Sequence, residues 1–213
     1  MKGYVDLLAR RYHGRLDADA DEFLAFASDG TVRMEALIDD LLAYAAVGST
    51  PADCAPVDLD AVARQAVLAL RRQIREAGAE IRLDGLPTVP GDERQLGQLI
   101  GNLLTNALKF TDAARSPVIT VTADRVDDAW RIDVTDNGIG VADHDAERIF
   151  AMFGRLHSAD AFPGTGIGLA ICKRIVENHG GTLDLRPSTG PGAVFSFTLP
   201  VGVAVGLSVP APA

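Results

Sequence analysis

Three segments of the chain carry residue types that suit a phosphate-bearing ligand. The first is the row Asn102, Asn106 and Lys109, whose members share one side of a helix predicted over about 92–110. An amide oxygen is a hard ligand that suits Mg²⁺, and a lysine one turn further along can meet a phosphate. A solvated helix face that carries asparagine by chance explains the same row, so this alternative stays open.

The second segment is Asp136-Asn137-Gly138-Ile139-Gly140, which follows an alternating strand pattern over 129–135. An aspartate at this place can accept a hydrogen bond from an exocyclic amine, and the glycines let the backbone approach a flat ring. Asn-Gly is also the strongest short signal for a β-hairpin, although no matching strand pattern follows Gly140. Both interpretations stay open from this segment alone.

The third segment is Gly164-Thr165-Gly166-Ile167-Gly168-Leu169, at the start of a helix predicted near 167–179. Glycines that open a helix expose backbone N–H groups at the positive end of its dipole, which favours phosphate. The segment is not a Walker A loop, because no Gly-Lys-Ser/Thr follows. It is not a dinucleotide fingerprint either, because its spacing differs and no strand directly precedes it.

The hydrophobic pattern predicts the helices and strands that would position these segments. Between the second and third segments, 137–165 is mostly polar with one short helical piece near 146–150, which is too long for a plain connection and predicts a lid. The other predicted elements are helices at about 58–78 and 92–110, a turn at 87–92, and strands near 80–84, 118–124, 129–135, 182–186 and 193–199.

The N-terminal part predicts two helices of unequal length. The first ends at Gly14, and the second carries an apolar stripe from Phe23 to Ala45. A helix this long beside a short partner leaves apolar surface to cover, which a second copy would do in a four-helix bundle. We therefore predict a helical hairpin at 1–48, a linker at 49–56, a domain at 57–200 and a disordered tail at 201–213.

Composition narrows the class of protein. The chain has 213 residues, 47% of them hydrophobic and 23% charged, as in ordinary globular proteins. A net charge of -9 argues against binding to nucleic acid polymers. The isolated Cys54 and Cys172 fit a reducing, cytoplasmic compartment. No apolar run approaches about 18 residues, so neither a transmembrane helix nor membrane contact is expected.

The order of the three segments resembles the ATP-binding domain of the GHKL superfamily, and their details resemble sensor histidine kinases. Asn102–Thr111 is similar to the N box, Asp136–Gly140 to the first glycine box and Gly164–Leu169 to the second. The segments 149–153 and 190–197 resemble the F box and the final glycine box, and 153–157 with 162–164 resembles phytochrome-type kinases. The resemblance covers about 55–200 and implies an α+β fold, a two-layer α/β sandwich, preceded by a truncated dimerisation hairpin.

The resemblance implies ATP and Mg²⁺ as ligands and gives each matching residue a role. Asn106 would coordinate Mg²⁺ with support from Asn102, and Asp136 would bind the adenine amine. Lys109 and Arg155 would meet phosphates. The remaining implied ATP-binding residues shape the pocket and hinge the lid: Gly138, Gly140, Gly164, Thr165, Gly166, Gly168 and Leu169.

The phosphoacceptor segment of the family, His-Asp/Glu followed by a basic residue and Pro-Leu, does not occur in this chain. The four histidines are His13, at a predicted turn, His144 and His157 in the predicted lid, and His179 at a predicted helix end where a cation is favourable. We therefore expect Mg·ATP binding without autophosphorylation, with a second copy and a response-regulator receiver domain as partners. The alternatives are another GHKL ATPase or serine kinase, or a dimerising ATP-binding scaffold without activity.

Overall fold

The computed structural model describes residues 2–15, 17–47, 55–112, 115–156, 162, 164–188 and 190–201. Two helices come first, α1 (Lys2–Tyr12) and α2 (Ala18–Val47), and they pack against each other as a hairpin. Asp17 caps the start of α2, because its Oδ1 accepts a hydrogen bond from the Ala20 N–H at 2.9 Å. No helix in the described part of the chain combines the length and the apolar composition that crossing a membrane requires.

The second part is an α/β domain built on a five-stranded sheet. Its strand order is β2-β4-β5-β7-β6, with β2 and β4 parallel and the other neighbours antiparallel, while β1 and β3 form a separate antiparallel pair. The elements in chain order are β1 (Ala55–Asp58), α3 (Leu59–Ala69), α4 (Arg71–Ala77), β2 (Glu80–Asp84), β3 (Thr88–Gly91), α5 (Glu93–Lys109), β4 (Val118–Val126), β5 (Ala129–Asp136), a 3₁₀ turn (Asp143–Asp145), α6 (Ala146–Ile149), α7 (Gly168–Asn178), β6 (Leu183–Arg186) and β7 (Val194–Pro200).

One face of the sheet is apolar and packs against helices. Ile132 of β5 pairs with Phe197 of β7, and both side chains are fully buried. The helices contribute the matching apolar side chains Leu96, Leu99, Ile100, Leu103, Ile171 and Ile175. The opposite face carries polar residues such as Thr122 and Asp133, which are neighbours in the register. The domain is therefore the two-layer α/β sandwich that the sequence predicts.

Helix α5, which carries the asparagine row, is held at its start by two sets of hydrogen bonds. Asp92 caps its start, because the carboxylate Oδ1 accepts a hydrogen bond from the Gln95 N–H at 3.1 Å. The backbone N–H of Asp92 donates to Nε2 of His179 at 3.0 Å, and Nδ1 of that ring lies 2.7 Å from the Ile175 carbonyl oxygen. Through these two contacts the His179 ring ties α7 to the start of α5.

Two predicted elements are wrong in detail. The single helix predicted over 58–78 is broken at Leu70 into α3 and α4, and the turn predicted over 87–92 contains strand β3. Strand β3 pairs with β1, and each of these four-residue strands contains a proline, Pro56 or Pro90. Such short pieces do not show a two-residue periodicity, and proline argues against a central strand. Of the predicted linker, 49–54 lies outside the described residues, as does 202–213 of the predicted tail.

Candidate functional site

A cavity of about 280 Å³ lies between α5, the end of β5, the lid and the start of α7. It brings together eleven of the twelve predicted site residues, although they come from segments that are far apart in the chain. These are Asn102, Asn106, Lys109, Asp136, Gly140, Arg155, Gly164, Thr165, Gly166, Gly168 and Leu169. The twelfth, Gly138, does not line the cavity.

Asp136 ends strand β5 and is 8% exposed. Its Oδ1 accepts hydrogen bonds from the Gly138 N–H at 2.8 Å and the Ala193 N–H at 3.2 Å. Oδ2 makes no hydrogen bond to any described residue, so one carboxylate oxygen is available to a donor in the cavity. Burial raises the pKa of Asp136, and the two backbone hydrogen bonds oppose that rise with a smaller effect.

The segment after β5 is not a hairpin turn. A two-residue type I′ turn requires positive φ at both central residues, and neither Asn137 nor Gly138 has it. The Asn137 side chain instead joins β5 to the start of β4: Oδ1 accepts from the Val118 N–H at 2.9 Å, and Nδ2 donates to the Ser116 carbonyl at 3.0 Å. This asparagine holds the scaffold, and the hairpin interpretation is wrong.

Gly138 is required by close backbone packing. A Cβ at this position would lie 2.2 Å from the carbonyl oxygen of Phe110 and 2.9 Å from Oδ1 of Asp136. Gly192 behaves similarly, since a Cβ there would lie 1.9 Å from the Asp136 carbonyl oxygen, and its φ is +96°. The two glycines let the end of α5 and the loop before β7 close around Asp136.

The row on α5 faces the cavity, as the helical spacing predicts. The Asn102 amide donates to the Gly168 carbonyl at 3.4 Å, which joins α5 to α7. The Asn106 side chain makes no hydrogen bond to any described residue, so its amide oxygen is available to a ligand. The Lys109 Nζ lies 4.5 Å from the ring centroid of Phe110. Burial, and next the positive charge of Arg155, lower the pKa of Lys109.

The start of α7 suits an anion. Its N-cap, Ile167, makes no side-chain hydrogen bond to the helix, so the first N–H groups of α7 have no side-chain cap. Gly164 and Gly166 have φ of +154° and +77°, conformations that favour glycine. A Cβ at Gly164 would lie 2.8 Å from the Lys109 Nζ. Bare backbone, an uncapped helix start and an ammonium group therefore meet at this end of the cavity.

Two contacts close the described part of the lid over the cavity. The Arg155 guanidinium donates to the carbonyl oxygens of Gly164 at 2.6 Å and Phe162 at 3.0 Å. The Phe162 ring packs against that of Phe110, with centroids 5.0 Å apart. Arg155, which the resemblance assigns to phosphates, thus holds the lid backbone in this conformation. His157 and Pro163 of the same predicted segment lie outside the described residues.

The cavity contains residues that the sequence does not single out. Most are apolar and form its walls: Phe110, Ile139, Val141, Ile149, Leu156, Phe162 and Phe195. Ile149 and Phe195 lie in the segments that resemble the F box and the final glycine box, so the family pattern contains a signal for them. Asp40 of α2 also lines the cavity, and no motif marks it.

The donor set fits a metal that arrives with a phosphate ligand. Within the described ranges, no group of three or more His, Cys, Asp or Glu side chains is placed to hold a metal ion. Mg²⁺ usually keeps several waters and takes one or two protein oxygens plus phosphates. The Asn106 amide, which has no hydrogen-bond partner in the described part of the chain and lines the same cavity, fits that pattern.

Known proteins resemble this chain in both sequence and fold. Residues 91–203 match the family described as "Histidine kinase-, DNA gyrase B-, and HSP90-like ATPase". The phytochrome-like protein Cph1 of Synechocystis sp. is 44% identical over 95% of this chain and 27% of its own length. The chain therefore spans about a quarter of that curated relative.

Solved structures agree with this match. ShkA in complex with AMPPNP superposes with a TM-score of 0.69 at 28% identity, over 97% of this chain and 47% of that one. The histidine kinase ThkA in complex with the response regulator protein TrrA has a TM-score of 0.67 at 20% identity, over 93% and 57% of the two chains, and shows a shared fold. The chain belongs to the family of histidine kinase-, DNA gyrase B- and HSP90-like ATPases and is homologous to phytochrome-like histidine kinases.

Proposed function

We propose that this chain is the ATP-binding part of a sensor histidine kinase and that Mg·ATP binds in the cavity. The observation that carries the proposal is the buried Asp136 carboxylate, which has one oxygen held by backbone N–H groups and the other without a partner among the described residues. That second oxygen would accept a hydrogen bond from the exocyclic amine of adenine. The apolar walls at Ile139 and Phe195 would cover the ring faces.

The other end of the cavity would hold the phosphates. The N–H groups at the start of α7, with the Lys109 ammonium beside Gly164, supply the donors and the positive charge. Mg²⁺, when bound, would neutralise phosphate charge, with Asn106 as its protein ligand and Asn102 holding α5 to α7 next to it. A phosphate would also stabilise the charged form of Lys109, which burial and the positive charge of Arg155 disfavour.

The proposed reaction is phosphoryl transfer to a histidine. An imidazole nitrogen would attack the γ-phosphorus while ADP leaves, and an aspartate of a response-regulator receiver domain would then accept the phosphoryl group. Catalysis of this kind consists mainly of positioning and charge stabilisation. The receiver partner is proposed by analogy, because ThkA, which shares this fold, is bound to a response regulator protein.

None of the three described histidines is placed for that attack. His13 lies in the turn after α1 and His144 in the lid, each with 83% of its side chain exposed, and the described cavity lining contains no histidine. His179 has both ring nitrogens in hydrogen bonds. We propose that the acceptor lies outside the described residues and that this chain does not phosphorylate itself.

Incubation with γ-labelled ATP and Mg²⁺ tests this part of the proposal. We expect no acid-labile, base-stable label on the protein, with a known autophosphorylating kinase as the positive control. Stable label mapped to His13, His144, His157 or His179 would show that the chain carries its own acceptor.

We further propose that the hairpin pairs with a second copy as a four-helix bundle. Large apolar side chains are exposed along both helices: Tyr4, Leu7, Leu8, Tyr12, Phe23, Phe26, Met34, Ile38, Leu41 and Leu42. Light scattering should give twice the chain mass of 22.5 kDa. The variant Phe23→Glu should give the monomer mass, and a monomeric unmodified chain at high concentration would contradict the proposal.

Calorimetric titration with ATP, with and without Mg²⁺, tests the nucleotide site. Asp136→Asn should weaken binding by about 10- to 100-fold, the range expected for losing a hydrogen bond to a charged group. Asn106→Asp adds a negative charge near the phosphates, so affinity without Mg²⁺ should fall and Mg²⁺ should restore much of it. Asp184→Asn, on an exposed position of β6, is the matched control. Unchanged affinity in both site variants would mean that the cavity is not the nucleotide site.

A further inference from the structure

The hairpin contributes a carboxylate to the cavity. Asp40 of α2 lines it, and the Thr165 hydroxyl donates a hydrogen bond to its Oδ2. Asp40 lies outside residues 91–203, which match the ATPase family, so this contact joins the hairpin to the domain. The described lining contains two carboxylates in all, Asp40 and Asp136.

Asp40 lies at the anion-binding end of the cavity. Its partner Thr165 is flanked by Gly164 and Gly166, and its Oγ1 also accepts a hydrogen bond from the Ile167 N–H at 3.4 Å, just before α7 begins. This is the place where the uncapped helix start and the Lys109 ammonium favour a phosphate. A carboxylate there puts negative charge close to a ligand that is itself negative.

The position of Asp40 is supported by further packing between α2 and the domain. One turn along α2, the Tyr44 ring lies 4.5 Å from the guanidinium carbon of Arg174 on α7. At the end of the helix, Val47 is 1% exposed and belongs to the apolar core. The contact between Asp40 and Thr165 is therefore part of an extended interface between α2 and the domain.

We propose that Asp40 is a specificity-determining residue that lowers the affinity of the site for nucleotides in proportion to their phosphate charge. Adenosine, which carries no phosphate, is not affected, whereas ATP is affected more than ADP. By linkage, a bound triphosphate weakens the docking of α2 as much as docked α2 weakens the triphosphate. This inference rests on the proposed nucleotide site and adds to it a charge supplied by the hairpin.

The test compares Asp40→Asn with Asp39→Asn in the full chain. Both variants remove one negative charge from α2, but Asp39 is exposed and does not line the cavity. An asparagine at 40 can still accept the hydrogen bond from Thr165, so the change is mainly one of charge. Dissociation constants are measured for adenosine, ADP and ATP without Mg²⁺, and for ATP with Mg²⁺.

We expect Asp40→Asn to tighten ATP binding by roughly three- to tenfold, ADP less and adenosine not at all. Asp39→Asn should change none of them. Added salt should reduce the gain for ATP, because screening weakens charge repulsion. Asp40→Ser, which also removes the charge, should show the same order of ligands.

Two results would overturn the inference. Equal changes for adenosine and ATP would show that Asp40 acts through structure and not through charge. Weaker binding of ATP with Mg²⁺ in Asp40→Asn would make Asp40 a metal ligand instead. If the unmodified chain binds neither adenosine nor ATP, the proposed nucleotide site itself fails, so the two failures can be told apart.

Discussion

Large apolar side chains are buried in the α/β domain and exposed in the helical hairpin. In the domain, Phe197 and Leu103 are at most 1% exposed. In the hairpin, Tyr4 is 79% exposed, Phe23 68% and Leu42 64%. A sheet with one apolar face and helices laid across it encloses its own core, whereas a pair of helices has too few layers to do so. The comparison predicts that the hairpin needs a further surface to cover its apolar side chains.

Helix length adds to the difference. The 11 residues of α1 extend over about 16 Å and the 30 residues of α2 over about 45 Å, at 1.5 Å per residue. Most of α2 therefore has no contact with α1. Part of the remainder packs on the domain: Asp40 bonds to Thr165, Tyr44 stacks on Arg174 of α7, and Val47 is buried in the apolar core. Other large apolar side chains of α2, such as Phe23 and Leu42, are exposed.

The largest expected effect comes from truncating a large side chain in each region. Phe197→Ala should reduce the free energy of unfolding by about 3–5 kcal/mol, because it empties a fully buried position. Phe23→Ala should change it by no more than about 0.5 kcal/mol in dilute monomer. Urea unfolding followed by far-UV circular dichroism, which reports on the helices of both regions, measures both. Equal losses would break the comparison between the regions.

A second pair of variants separates two glycines of the domain. Gly138→Ala should destabilise the fold by about 1–3 kcal/mol and abolish ATP binding, because the added Cβ meets the Phe110 carbonyl oxygen at 2.2 Å. Gly101→Ala, in α5 with open space around it, should stabilise by up to about 1 kcal/mol. Thermal unfolding and ATP titration measure these effects. A stable, ATP-binding Gly138→Ala protein would contradict the described packing around Asp136.

The histidines provide a third comparison between the regions. His179→Ala leaves the Asp92 N–H without its acceptor at the start of α5, so it should reduce stability by about 1–2 kcal/mol. His13→Ala removes an exposed contact of 3.5 Å with Asp21 and should change stability by less than about 0.5 kcal/mol. Urea unfolding measures both losses of unfolding free energy. A larger loss for His13→Ala would contradict the conclusion that His179 is the histidine that stabilises the fold.

The smallest expected effect is a pH dependence that belongs to the domain. Because burial raises the pKa of Asp136 above its unfolded value of about 3.9, the folded protein binds this proton more tightly than the unfolded chain. Acidification through the folded pKa therefore adds stability, which Asp136→Asn lacks. Asp136→Asn should therefore have the larger unfolding free energy at pH 7. Its advantage over the unmodified protein should shrink as pH falls toward 4. If the advantage of the variant grew on acidification, the pKa of Asp136 would be lowered by folding and not raised.

The main elements of the fold were predictable because their patterns are long. Helix α5 has an aspartate cap and a regular apolar stripe, and β4 and β5 are long strands with clear alternation. Strands β1 and β3 were not predictable, because four residues with a proline carry too little periodicity. The break at Leu70 has no proline or glycine to mark it.

The site was predictable where a motif contained the residue. The motifs identify Asn106, Asp136 and Gly166, and all three meet in one cavity. Asp40 was not identified, because what brings it to the cavity is the packing of the long helix α2 on the domain and not a local pattern. The roles that the resemblance assigns to Asn106, Asp136 and Gly166 are predictions, which nucleotide titration tests.

The most direct test of the account is amide NMR of the chain during titration with Mg²⁺ and a non-hydrolysable ATP analogue. The account predicts that the largest shift changes fall on residues lining the cavity, such as Asn106, Gly140 and Gly166. Changes confined to the polar sheet face around Thr122 and Asp133, or no changes at saturating nucleotide, would contradict it.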